Sequence, residues 1–169
     1  VSQVRVHGLR VVADRGLALQ SNPKAPALDK SLSKLVVGAL QDSSPLVQRM
    51  AAEALAQQTQ VDGVKPLVEL IAKVPAEDTH LLYMARLALR NQLNGAGVWA
   101  FRAADLFSHE ERATLIDIAL GLKTEIAAEF LLKYQDSVPK DSPLRPRVLE
   151  HVARYAPKDR PAHETLVRY

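Results

Sequence analysis

The block Val47-Gln48-Arg49-Met50-Ala51-Ala52-Glu53-Ala54-Leu55-Ala56 constrains the fold more than any other stretch, because it recurs. Val47, Ala51, Ala54 and Leu55 have counterparts one repeat earlier in Val4, Gly8, Val11 and Val12, and one repeat later in Leu81, Ala85, Ala88 and Leu89. A looser copy holds Ile116, Ala119, Leu120 and Gly121, and a weak fifth runs through Leu144, Val148 and Val152. Aliphatic residues at i, i+4, i+7 and i+8 form one stripe on a helix, and small residues within it let a neighbouring helix come close. One such helix cannot bury both of its sides, so each copy needs neighbours of its own kind.

Between the blocks lie second helical patterns, over Leu28–Leu40, Val64–Val74, Val98–Leu106 and Glu125–Tyr134. Each repeat therefore reads as a helix pair. Ser44-Pro45 and Ser142-Pro143 place a capping hydroxyl before a proline at a first helical position, and Ser108 with Glu111 forms a capping box. Gly16, Pro75, Gly95, Pro139 and Pro157 read as stops, and residues 20–26 give the longest loop signal. Asn94-Gly95 follows a helical pattern rather than joining two alternating runs, so no β-hairpin and almost no strand is expected.

These observations predict an all-α chain: a right-handed α-solenoid of four to five antiparallel helix pairs, forming a single domain over residues 1–169. The repeat spacing resembles that of HEAT or armadillo-like repeats more than that of tetratricopeptide or ankyrin repeats, whose signatures are missing. The VRxxAxxAL form of the block resembles the HEAT-like repeats of bacterial phycobilin lyases. The run from Asp78 to Leu93, DTHLLYMARLALRNQL, resembles the helical segment of large bacterial membrane-bound dehydrogenase proteins that also carry a c-type haem domain. That second resemblance implies a fragment of a longer multidomain chain, placed between redox domains, and a periplasmic or membrane-associated location.

Composition narrows the chemistry. The chain has no cysteine, so these residues supply no thiolate zinc site, iron–sulfur ligand or thiol nucleophile. Lys and Arg number 22 against 19 Asp and Glu, and the excess is spread evenly: 9 against 8 over residues 1–80 and 13 against 11 beyond. No basic stripe suits the counterion release that binds duplex DNA, so the concave basic face of HEAT-like DNA glycosylases has no counterpart and no nucleic-acid partner is expected. No apolar run approaches the roughly 18 or more residues that span a bilayer, so no membrane insertion by this segment is expected.

Four groups of residues invite a functional reading. His109-Glu110 and His163-Glu164 resemble the iron-binding His-Glu pairs of deoxyhypusine hydroxylase. Their register differs, since Thr114 stands six residues before Leu120, where that family has its histidine. His109 is better explained by a helix start, where Glu110 and Glu111 favour the positive end of the dipole. His80 follows Asp78-Thr79 at another helix start. Trp99, Phe101 and Phe107 crowd one short segment and read as core in preference to a ligand groove. No metal or cofactor is expected.

The second helices carry Lys34, Lys65, Glu69, Lys73, Arg102, Asp105, Glu129 and Lys133, a mixed-sign set. If they line the concave side of a solenoid, they suit a protein partner or a neighbouring domain of the same chain. The expected function is a non-catalytic interaction or interdomain scaffold within a larger protein, a redox one if the dehydrogenase resemblance holds. The alternative is a HEAT-type enzyme, lyase-like or hydrolytic.

Overall fold

A computed structural model of the chain describes residues 2–22, 29–59 and 61–157. Nine α-helices occur among them: α1 (Ser2–Ser21), α2 (Lys30–Ala39), α3 (Pro45–Gln57), α4 (Val64–Lys73), α5 (Thr79–Leu93), α6 (Trp99–Arg102), α7 (His109–Ala119), α8 (Glu125–Tyr134) and α9 (Leu144–Tyr155). No strand is present among the described residues. The helices fall into two compact units, residues 1–100 and 101–169, and α6 spans the division.

In the first unit α3 packs against α1 and α5 packs against α3, while α2 lies on α3 and α4 on α5. The repeated stripe explains this order. Val47, Ala51, Ala54 and Leu55 of α3 and Leu81, Ala85, Ala88 and Leu89 of α5 are all at most 2% exposed. Alanine at two places in each stripe lets helix axes approach, and the flanking aliphatics fill the remaining space.

The successive first helices are also joined by matching hydrogen bonds. Gln92 donates from Nε2 to the carbonyl of Leu55 at 2.6 Å, and Gln58 donates from Nε2 to the carbonyl of Val12 at 3.2 Å. Gln58 and Gln92 are separated by the spacing of their own stripes, and Val12 is the counterpart of Leu55. Gln92 and Leu55 lie in the C-terminal parts of their helices, and Gln58, just past the end of α3, meets the middle of α1. At the other end Arg5, near the start of α1, pairs with Asp42, just ahead of α3, at 2.9 Å. The first helices α1, α3 and α5 therefore run parallel.

Gly16 does not end a helix, since α1 continues to Ser21. A Cβ at Gly16 would lie 2.6 Å from Cγ of Gln58, so the glycine serves the close approach of α3 instead. The expected stops at Pro75, Gly95, Pro139 and Pro157 all fall just beyond helices. Within residues 23–28, which carry most of the expected loop, and at His163-Glu164, the sequence expectations lie outside the described residues.

In the second unit α7 packs on α8 and α8 on α9. Phe101 lies 4.8 Å from Phe130, ring centre to ring centre, and Phe130 lies 5.1 Å from Tyr134. Phe101 and Phe107 are buried and Trp99 is half-buried. The pattern over Val98–Leu106 is not one helix: 3-10 turns at Ala96–Val98 and Ala104–Leu106 flank the short α6. Phe101, Ala104 and Phe107, three residues apart, are all buried, the spacing that a 3-10 turn eclipses.

Helix starts follow the caps only in part. Ser108 and Glu111 form both bonds of a capping box, with the Ser108 hydroxyl 3.2 Å from the Glu111 amide and the Glu111 carboxylate 2.7 Å from the Ser108 amide. Ser44 occupies the cap of α3 ahead of Pro45, but its hydroxyl makes no capping bond, and its amide donates to Asp42 at 2.9 Å. Pro143 stands at the cap of α9 and not at its first helical position, while the Ser142 hydroxyl accepts from the Leu144 amide at 3.3 Å.

Candidate functional site

Because α3 and α5 run parallel, the α2–α3 and α4–α5 links come together at one end of the first unit. A proline stands at each, Pro45 where the first link enters α3 and Pro75 within the second, two residues beyond α4. A groove of about 400 Å³ lies between them. Leu40, Leu70 and Leu81 are its buried residues, while Gln41, Pro45, Lys73 and Pro75 are exposed around it.

The polar groups of the groove divide by task. Asp78 accepts the Leu81 amide at 3.0 Å and so starts α5, and Gln48 donates to the Asp42 carbonyl at 2.8 Å and so fixes the α2–α3 link. Glu69 and Lys73 also line the groove, one helical turn apart on α4 and opposite in charge. An apolar base with one carboxylate and one ammonium beside it can bury an aliphatic or aromatic side chain and meet charges of either sign. Proline adds rigid apolar surface without an amide donor.

The eight residues proposed from the sequence are distributed over both units. Lys34, Lys65, Glu69 and Lys73 belong to the first, where Lys34 and Lys73 are exposed and Lys65 and Glu69 half-buried. Of these, Glu69 and Lys73 reach the groove. Arg102, Asp105, Glu129 and Lys133 belong to the second, where Arg102 and Asp105 are exposed.

Two of that second group pair with each other. The Asp105 carboxylate accepts from Tyr134 Oη at 2.6 Å and from Lys133 Nζ at 2.9 Å, and Lys133 Nζ also lies 4.9 Å from the centre of the Tyr134 ring. The Tyr134 hydroxyl first, then Lys133, hold Asp105 below its usual carboxylate value. Tyr134 and Asp105 likewise raise Lys133. Arg112 stacks on the same ring at 5.8 Å.

Compared with protein families, with curated proteins and with solved structures, the chain matches none.

The second unit holds a smaller hollow of about 190 Å³ along α9, lined by Lys123, Arg147, Arg154, Glu150 and His151 among others. Arg154 and Glu150 neutralise one another at 2.7 Å. His151 is buried and its Nε2 stands 2.8 Å from the Leu122 carbonyl; a carbonyl only accepts, so Nε2 is the donor of this bond. The other histidines singled out, His80 and His109, are exposed at the starts of α5 and α7. Among the described residues, no three His, Asp or Glu side chains come together as a group that could hold a metal ion, and no helix is long and apolar enough to cross a membrane.

Neither the groove nor His151 stands out from composition or motif. The groove depends on two links that only the parallel packing of α3 and α5 brings together. His151 falls on the buried side of α9 beside Val148 and Val152, and its helical spacing from them is the one available signal.

Proposed function

We propose that this chain is a scaffold segment built as an α-solenoid of HEAT-like helix pairs, and that it binds a protein partner through the groove at the ends of α3 and α5. The observation that carries the reading is the groove itself. It has an apolar base of Leu40, Leu70 and Leu81, and beside it stand Glu69 and Lys73, side chains picked out on sequence grounds as partner-facing. The solenoid is supported by the matching Gln58–Val12 and Gln92–Leu55 bonds, which repeat one stacking step within the first unit. A neighbouring domain of a longer chain would meet the same surface as a separate partner.

A test begins with a photoreactive residue in place of Lys73, with Tyr83, exposed on α5 and not among the groove residues, as the control position. Crosslinking in the native source should give a product at position 73 that is absent at position 83. After that product is identified, its affinity for the wild type and for the Glu69→Lys, Lys73→Glu double variant is measured. The double variant keeps net charge and should bind about tenfold or more weakly while melting normally, because charges at an interface edge act on partner choice and not on the fold. Equal affinity for wild type and variant would remove the groove from the proposal.

A further inference from the structure

Val4, Gly8, Val11 and Arg15 of α1 stand in the same register as Val47, Ala51, Ala54 and Gln58 of the α3 repeat, and as Leu81, Ala85, Ala88 and Gln92 of α5. In the second and third copies the first three positions are closed to solvent. In α1 they are open: Val4 is 67% exposed, Val11 is 59% exposed, and a Cβ at Gly8 would meet nothing within 4 Å. Arg15 is exposed too. The opposite side of α1 is the one α3 covers, where Leu9, Ala13 and Gly16 are buried and Gly16 meets Gln57 and Gln58.

What covers this stripe in the other two copies is visible. The glutamine that ends each stripe marks the neighbour on that face: Gln92 of α5 reaches α3 and Gln58, at the end of α3, reaches α1, each time the first helix of another pair, parallel to the helix it packs on. That helix offers the glutamine that follows the stripe a main-chain carbonyl, at Leu55 or Val12, and for Gln92 the Gln58 carbonyl as well. We propose that the Val4–Gly8–Val11–Arg15 stripe is a stacking surface for the first helix of a further helix pair of this same kind, lying parallel to α1. Arg15 takes the place of the glutamine, and its guanidinium has N–H donors to offer such a carbonyl. The occupant therefore has a defined chemistry: apolar residues at the places of Leu9 and Ala13, and a carbonyl free to accept a second bond at the place of Val12.

The inference rests on packing inside residues 1–100 and is independent of the groove, whose variants leave this stripe untouched. The probe is a copy of residues 44–77, one complete helix pair, joined directly ahead of Val1 in the full chain. In that arrangement Val4 follows the pair at the distance Leu81 does. Because the chain has no cysteine, Val11→Cys supplies a single thiol whose rate of labelling reports cover at the stripe.

In the unextended chain the thiol should label at the rate of an exposed one, and light scattering should give a monomer. In the extended chain labelling should slow by about tenfold or more, and Gly8→Lys should restore the fast rate by holding the added helix away. Fast labelling in the extended chain, with or without added helical signal, would overturn the proposal, since the same pair is held in place against α5. Slow labelling of the unextended chain together with a dimer mass would also overturn it, by making a second copy the occupant.

Discussion

Gln92 is fully buried, yet its side-chain amide is satisfied twice on the neighbouring helix repeat, by the Leu55 carbonyl at 2.6 Å and the Gln58 carbonyl at 2.9 Å. Asn91 beside it donates to the Ala56 carbonyl at 2.9 Å. The last four carbonyls of a helix lack partners within it, so α5 supplies donors where α3 needs them.

Replacing Gln92 with Leu, close in volume but without polar atoms, should therefore cost about 1–3 kcal/mol, because carbonyls closed to water lose their donor. Gln58→Leu should cost less, since Gln58 is half-buried and water can replace it. Urea unfolding of both variants measures the difference; equal midpoints would mean that the two bonds are not graded by burial.

Ala54 of α3 and Ala88 of α5 are 1% and 0% exposed. Ala88→Asp should cost several kcal/mol, as an unpaired charge held out of water does, and leave little of the ~5–15 kcal/mol that stabilises a domain. Tyr83→Asp, at a site 65% exposed on the same helix, should change stability by about 0.5 kcal/mol. Thermal melting followed by circular dichroism separates the two.

Two glycines should respond in opposite directions to alanine. A Cβ at Gly97 would lie 2.5 Å from Cγ2 of Val64 and 2.9 Å from the Gln92 carbonyl oxygen, so Gly97→Ala should cost about 1–3 kcal/mol by overpacking. Gly8 sits mid-helix in open space, so Gly8→Ala should add about 0.5–1 kcal/mol by restricting the unfolded chain and favouring helix. Chemical denaturation reads both signs.

The Asp105 cluster predicts a pH dependence. Its folded carboxyl titrates below the ordinary value of 3.8, so the stability it contributes is complete above that value and is lost as pH falls through the lower, folded one. Asp105→Asn should melt below wild type near neutral pH, and the gap should close as pH is lowered past 3.8. A gap that persists at the lowest pH where the protein stays folded would show that the amide disturbs packing and not charge.

The helical architecture is legible in the sequence because in α3 and α5 periodicity and burial are the same signal; α8 and α4 start where their patterns start, and Val148 and Val152 of the weak fifth copy are buried on α9. Glycine and proline are less informative one at a time. Gly16 reads as a stop when only its missing side chain is considered, but in place it leaves room for Gln57 and Gln58 against α1. The short segment around Trp99 reads as a helix because its aromatics are spaced for one, and the 3-10 turns satisfy nearly the same spacing. The groove joins two links with a whole helix pair between them in the chain, and no local pattern carries that distance. Gln58 and Gln92 do leave a trace, a polar residue recurring at the repeat spacing beside an apolar stripe.

The glutamine bonds have a one-sided specification. Each donor is a side chain, so it must be kept, but each acceptor is main chain, which Val12 and Leu55 present equally well. Side chains on the accepting helix can change without breaking the joint, and a change in the donor has no compensating change to find across the contact. A lineage of such chains would conserve this joint as isolated positions and never as matched pairs, and a duplicated repeat would arrive already able to receive its successor.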